Sequence, residues 1–113
     1  MTARLASSVL ASALIRCAES LGGFAAVLAK GDPGAGAILI LAAEKGRLTR
    51  LYERLLGPTG AYEWARTGPQ DIENKEEIDS FLARRRARDP DIWLIELDIP
   101  DAERFIADAA GFA

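Results

Sequence analysis

The stretch from Asn74 to Ile99, NKEEIDSFLARRRARDPDIWLIELDI, decides the fold. Its first half carries apolar residues at spacings of three and four, which predicts a helix over 74–88. Asn74 followed by Glu77 resembles a capping box at the start of this helix. Asp89-Pro90 ends it, because proline has no backbone N–H to donate. The apolar run 92–95 then predicts a short strand in the middle of a sheet.

Outside this stretch the sequence predicts two more helices and four more strands. They are helix 4–21, strands 24–29, 37–42, 47–56 and 61–66, and a last helix at 101–109. Sequential strands joined by short turns predict one α+β domain over 1–113, with an antiparallel sheet of about five strands and helices packed on one face. The predicted order is α-β-β-β-β-α-β-α.

The strand that follows Asp89-Pro90 is expected to lie beneath the helix 74–88. In that arrangement Trp93 and Ile95 face the helix, while Ile92 and Leu94 face the other side of the sheet. Apolar side chains on an uncovered face need another surface to cover them. This favours a homodimer at micromolar concentration.

The segment Gly57-Pro58-Thr59-Gly60 predicts a hairpin between the third and fourth strands. A two-residue loop at Pro58 and Thr59 would pair Arg54 with Glu63 across the strands. The same register predicts a core face formed by four side chains, Leu51, Leu55, Tyr62 and Trp64.

The composition removes several kinds of site. The 113 residues include no histidine and one cysteine, Cys17, which removes the commonest neutral general base, most zinc sites and any internal disulfide. Cys17 is expected to be buried on the apolar stripe of the first helix.

The net charge of −3 argues against a general nucleic-acid binder, and no apolar stretch is long enough for a membrane span. The expected protein is cytoplasmic, with no cofactor and no metal.

Two groups of arginines are candidate binding residues. One is the run at the end of the second helix, Arg84, Arg85, Arg86 and Arg88, and the other is the strand segment with Arg50, Tyr52 and Arg54. Arginines contact phosphates, and an aromatic ring between two cations is typical of single-strand nucleic-acid platforms. Cations in a last helical turn also complement the helix dipole, and we favour this solvated face as the interpretation of the run.

Two other features resemble sites of known chemistry. The loop Gly31-Asp32-Pro33-Gly34-Ala35-Gly36 has the glycines of a phosphate loop, but a strand follows it, without the lysine and the helix that such a loop requires. A plain connecting loop is the favoured interpretation. The carboxylates Asp91, Glu96 and Asp98 could hold Mg²⁺, but no lysine follows them closely, and ion pairing with arginines is favoured.

Several segments resemble a small bacterial family of domains of unknown function. They are Ser12-Ala13-Leu14-Ile15-Arg16, Gly31-Asp32, Ala35-Gly36-Ala37-Ile38-Leu39, Phe81-Leu82-Ala83-Arg84-Arg85 and Asp89-Pro90-Asp91-Ile92-Trp93-Leu94-Ile95-Glu96. The resemblance spans roughly residues 10–106. It implies a single-domain protein without an established activity, so it transfers no catalytic or binding residue.

The function predicted from the sequence is that of a non-enzymatic domain that binds a protein partner or a second copy of itself. One alternative is a nucleic-acid accessory protein, which a single basic face formed by the arginines would favour. The other is a carboxylate-dependent enzyme, which a pocket lined by Asp91, Glu96 and Asp98 would favour.

Overall fold

A computed structural model describes residues 6–108 of the chain, and the elements follow the predicted order. They are α1 (Ser7–Ser20), β1 (Phe24–Ala29), β2 (Ile38–Glu44), β3 (Arg47–Leu56), β4 (Tyr62–Arg66), α2 (Lys75–Arg88), β5 (Trp93–Asp98) and α3 (Ala102–Asp108). The predicted α+β class with five strands is confirmed. None of the helices within 6–108 is long and apolar enough to cross a membrane.

The five strands form one sheet in the order β1-β5-β2-β3-β4. β5 lies between β1 and β2, antiparallel to the first and parallel to the second. The remaining pairs, β2 with β3 and β3 with β4, are antiparallel. The sheet is therefore mixed, since the α2 connection is long enough to return the chain across the sheet and start β5 parallel to β2.

Side chains of the central strands alternate between two apolar clusters on opposite faces of the sheet. On one face, here called the α1 face, Leu10 and Leu14 of α1 and Ile106 of α3 pack against Ile40 and Ile95. On the other, the α2 face, Ile78 packs against a second set of strand residues, Leu39, Leu41, Leu51 and Leu94. The sequence predicts all helices on one face, whereas α2 lies opposite α1 and α3. The reason is that β2 and the first half of β5 are apolar on both faces, so each face needs a helical cover.

Trp93 and Ile95 are buried, as predicted, but the helix above them is not the predicted one. Both belong to the α1-face cluster, so the expectation that they pack beneath α2 is wrong. α2 instead covers Ile92 and Leu94. These two side chains therefore need no second subunit, and the reason for a homodimer that rested on them does not hold.

The first helix buries a slightly different stripe from the one predicted. Its buried side chains include Leu10, Leu14 and Ala18, which face β1 and β5. Cys17 lies at the margin of this stripe and is half-buried, so the expected fully buried thiol is wrong. Leu21, which was predicted to share the stripe, is exposed beyond the end of the helix.

The hairpin between β3 and β4 has a register one residue away from the predicted one. Arg54 lies opposite Trp64, and Leu55 lies opposite Glu63. The Gly57 N–H donates to the Ala61 carbonyl oxygen at 2.7 Å, so the loop between these two residues contains three residues, 58–60. Gly60 adopts the positive φ of 87° that such a three-residue loop requires.

This shift moves every β4 side chain to the other face of the sheet. Trp64 packs against the α1-face cluster beside Tyr52, and the predicted pairing of Arg54 with Glu63 is wrong. Of the four side chains predicted to share a core face, Leu51 is buried on the α2 face and Leu55 is exposed.

Candidate functional site

The strand segment with Arg50, Tyr52 and Arg54 lies on the α1 face instead of forming an open platform. Tyr52 is buried, and Arg54 is only 8% exposed, with its guanidinium 4.3 Å from the centre of the Tyr62 ring. Arg50 donates from Nε to Glu103 of α3 at 3.1 Å. Base stacking on this segment would require Tyr52 to be accessible, which it is not.

Burial raises the pKa of the Tyr52 hydroxyl, the Glu103 carboxylate raises it further, and Arg66 and Arg50 oppose the shift. In the unfolded chain this hydroxyl loses its proton near pH 10, whereas the folded protein still holds it. The folded state then binds more protons than the unfolded state, so the contribution of Tyr52 to stability is complete below pH 10 and is lost as pH rises further.

We therefore expect the free energy of unfolding to fall more steeply above about pH 10 in the native protein than in Tyr52→Phe. Urea unfolding at a series of pH values measures both profiles. Parallel profiles would show that the folded state does not favour the neutral form of Tyr52.

The arginine run at the end of α2 divides into one paired residue and three exposed ones. Arg85 is half-buried and pairs with Glu53 of β3, and this hydrogen bond raises the pKa of Arg85. Arg84, Arg86 and Arg88 are exposed. Because Arg50 and Arg54 lie on the α1 face and Arg85 on the α2 face, the sheet separates the two groups of arginines. A binding role for the exposed three stays a prediction.

The three predicted carboxylates do not line one pocket. Asp91 lines a cleft of about 420 Å³ together with Asp32, Asp89 and Arg54. Glu96 lines a different groove on the α2 face. Asp98 accepts hydrogen bonds from the backbone N–H groups of the turn between β2 and β3 at 2.8 and 2.6 Å. Within the described residues, no group of three or more acidic or cysteine side chains could hold a metal ion.

The glycine-rich loop 31–36 connects β1 to β2 and closes the start of α1. The first backbone N–H groups of α1, at Ser7 and Ser8, donate to the Gly34 and Pro33 carbonyl oxygens at 3.1 and 2.9 Å. The Ser7 hydroxyl donates to Gly36 O at 2.6 Å. The loop thus satisfies N–H groups that a helix leaves without a partner at its start, which agrees with a connecting role.

β1 forms an exposed edge of the sheet, and the sequence did not identify this strand as an edge. β1 pairs with β5 on one side, and no described strand lies on its other side. Its sequence FAAVLA has no charge and no proline, and Phe24, Val27 and Leu28 are 59%, 44% and 50% exposed. Natural edge strands usually carry charges, prolines or bulges that prevent association with another strand. β1 has a bulge between Val27 and Ala29, but it has no charged residue and no proline.

A groove of about 600 Å³ lies beside β1 on the α2 face. Its floor contains Leu41, Ala43 and Glu96, and its walls are Leu28 of β1 and a part of α2 that includes Ile78 and Leu82. Two ion pairs occupy its rim, Lys75 with Asp79 at 2.8 Å and Arg47 with Glu73 at 2.5 Å. The exposed edge and the groove adjoin each other at Leu28.

Comparisons with known proteins identify relatives along nearly the whole chain. Residues 5–107 match the family model described as protein of unknown function (DUF1491). An NMR structure of a DUF1491 family protein from Caulobacter crescentus CB15 is 33% identical, covers 93% of this chain and 94% of its own, and has a TM-score of 0.75. A crystal structure of a DUF1491 family protein from the same organism is 34% identical, with coverages of 89% and 94% and a TM-score of 0.77.

A third solved structure, protein Atu0922 from A. tumefaciens, is 33% identical over 88% of this chain and 89% of its own, with a TM-score of 0.67. No curated protein matches the chain. The TM-scores show that these three solved structures share the fold of this chain. The chain belongs to the DUF1491 family, whose function is unknown.

Proposed function

We propose that this protein is a non-enzymatic association domain that forms a homodimer through strand β1. The observation that carries the proposal is the exposed, uncharged edge of β1, with three half-exposed apolar side chains on six residues. Unpaired backbone N–H and C=O groups on such an edge match those of another strand, and side-chain contacts add stability to the pairing.

The simplest closed arrangement is antiparallel pairing of β1 with the same strand of a second copy. A two-fold axis at Ala26 would set Phe24 opposite Leu28 of the second copy, giving two aromatic–aliphatic cross-strand pairs. The two five-stranded sheets would then form one continuous sheet of ten strands. Because this pairing uses the same edge of both copies, it closes at the dimer and leaves no free β1 for further growth.

The arrangement of charged side chains supports association more than the two alternatives. A nucleic-acid face would gather the arginines, and here Arg54 is buried while Arg50 and Arg85 pair with carboxylates. A carboxylate-dependent enzyme would gather Asp91, Glu96 and Asp98. Here Asp91 and Glu96 line different clefts, and Asp98 accepts hydrogen bonds from the turn between β2 and β3. We further propose a cytoplasmic location, with which the free thiol of Cys17 agrees.

Light scattering on purified protein tests the dimer. At about 100 μM, where an interface of about −6 kcal/mol puts most chains in the dimer, the mean mass of the native protein should exceed about one and a half times the monomer mass. Val27→Lys introduces a charge on the β1 edge and should give the monomer mass. Leu56→Lys is the matched control, because Leu56 is also exposed but lies at the far side of the sheet beside β4, so this variant should remain a dimer.

A native chain with the monomer mass at that concentration would contradict the proposal. A dimer that Val27→Lys leaves intact would contradict the assignment to β1. Circular dichroism spectra that match the native protein would show that both variants fold.

A further inference from the structure

Two arginines share one carboxylate near the end of β4. Arg50 donates from Nε to Glu103 Oε1 of α3 at 3.1 Å, and an Nη atom of Arg66 lies 3.7 Å from the same oxygen atom. Within residues 6–108, neither arginine pairs with a second carboxylate. Arginine side chains remain protonated in proteins. The two guanidinium groups and the single carboxylate therefore leave a surplus of one positive charge.

The hydroxyl of Tyr52 shows that this surplus charge is local. Burial raises the pKa of Tyr52 and the Glu103 carboxylate raises it further, whereas the charges of Arg66 and Arg50 lower it. A group that senses all three charges lies close to each of them, because the interaction between two charges weakens with distance. The surplus charge is therefore concentrated at this end of the sheet.

A cleft of about 350 Å³ lies beside these two arginines, and both line it. Its size is within the range of small-molecule sites. Thr67 and Gln70 add a hydroxyl and a carboxamide to the lining, and Leu51 and Ile72 add apolar surface. None of the described residues that line this cleft is acidic, in contrast to the cleft at Asp91, which three carboxylates line. The cleft therefore combines positive charge and hydrogen-bond donors with an apolar surface.

The loop that forms one wall of the cleft is fixed to the sheet. The Thr67 N–H donates to the Leu51 carbonyl oxygen at 3.1 Å. Gly68 follows with a φ of 87°, and a Cβ atom at this position would lie 2.7 Å from Leu51 Cδ1. Glycine adopts this positive φ readily and leaves room for the close approach to Leu51. The wall is thus held in place before a ligand binds, which lowers the entropy cost of binding.

We propose that this cleft binds the phosphate group of a small organic molecule, and that Arg50 and Arg66 pair with the phosphate. Guanidinium groups form forked hydrogen bonds with phosphate oxygens. A phosphate group offers three terminal oxygens to the donors of the cleft, whereas a carboxylate offers two. Leu51 and Ile72 contact the organic part of the ligand. The site is independent of the homodimer, because β3 and β4 lie at the opposite side of the sheet from β1.

Titrations followed by amide NMR test the proposal with three probes, which are inorganic phosphate, phenyl phosphate and benzoate. The ionic strength is held constant with sodium chloride, so that the screening of the two arginines does not change during the titration. Both phosphates should shift the Thr67, Gly68 and Gln70 amide signals saturably, with half-saturation at about 1 mM for inorganic phosphate. Phenyl phosphate should bind more tightly because its ring contacts Leu51 and Ile72. Benzoate should bind about tenfold more weakly than phenyl phosphate.

Two variants should change the affinity for phenyl phosphate in opposite directions. Arg66→Gln removes one of the two positive charges and should weaken binding about tenfold, which is typical of the loss of one charge-assisted hydrogen bond. Glu103→Gln removes the negative charge that competes for both arginines and should tighten binding. The matched control is Arg16→Gln, because Arg16 is exposed on α1 and does not line the cleft, so this variant should bind as the native protein does. Circular dichroism spectra that match the native spectrum show that each variant folds.

Three results would overturn the proposal. The first is a titration in which neither phosphate shifts these amide signals saturably at constant ionic strength. The second is an Arg66→Gln variant that binds phenyl phosphate as tightly as the native protein, or a Glu103→Gln variant that binds it more weakly. The third is benzoate binding as tight as that of phenyl phosphate, which would identify carboxylates in place of phosphates as the ligands.

Discussion

Trp93→Ala is expected to lower the free energy of unfolding by about 3–5 kcal/mol, which is enough to unfold much of a domain of ordinary stability. The Trp93 side chain is 4% exposed and packs in the α1-face cluster beneath α1. Its ring Nε1–H also donates to the Asp32 carbonyl oxygen at 2.8 Å, which attaches the loop 31–36 to the sheet. The alanine variant loses both the ring contacts and this hydrogen bond. Urea unfolding followed by circular dichroism measures the change.

Trp93→Phe separates the two contributions, because phenylalanine keeps an aromatic ring but has no N–H to donate. We expect it to cost about 1–3 kcal/mol, the usual range for leaving a buried polar group without its partner. If Trp93→Ala unfolded at the same urea concentration as the native protein, β5 would not have the central position described here.

Gly31→Ala is expected to cost about 3 kcal/mol for a different reason. A Cβ atom on Gly31 would lie 2.1 Å from the Asp91 carbonyl oxygen and 2.7 Å from the Ile92 carbonyl carbon. Both are backbone atoms just before β5 and cannot move aside without displacing the strand, so overpacking here is expensive. The measurement is again urea unfolding.

Gly34→Ala in the same loop is the matched control. The nearest atom to its added Cβ would be the Asp32 carboxylate oxygen Oδ2 at 3.6 Å, which is an ordinary contact. We expect a change within about 0.5 kcal/mol. Equal losses in Gly31→Ala and Gly34→Ala would mean that the loop requires flexible glycines generally, as a ligand-binding loop does, instead of a close approach to β5.

The helices and strands could be predicted because their signals are local. The Asn74 side chain accepts a hydrogen bond from the Glu77 N–H at 3.2 Å, and α2 ends before Pro90, as the capping and proline signals indicate. The face on which α2 lies could not be predicted in the same way. It depends on how the crossover returns the chain, and strands that are apolar on both sides accept a helix on either face.

The errors at the candidate sites have a similar origin. One additional loop residue at Gly60 moves Tyr62 and Trp64 to the same face as Arg54. Glycine adopts positive and negative φ about equally readily, so its presence alone does not fix the loop length. The burial of Arg54 follows from this register. The edge position of β1 depends on the insertion of β5 between β1 and β2, and such a long-range pairing is not contained in the sequence of β1.

Hydrogen exchange of the backbone amides in β1, at about 1 μM and about 100 μM protein, tests the central claim most directly. The dimer predicts that amides within 24–29 exchange more slowly at the higher concentration, since the second copy protects them. Amides of β4, at the opposite edge of the sheet, should exchange equally fast at both concentrations. Exchange in β1 that does not change with concentration, or protection that develops in β4 instead, would contradict association through β1.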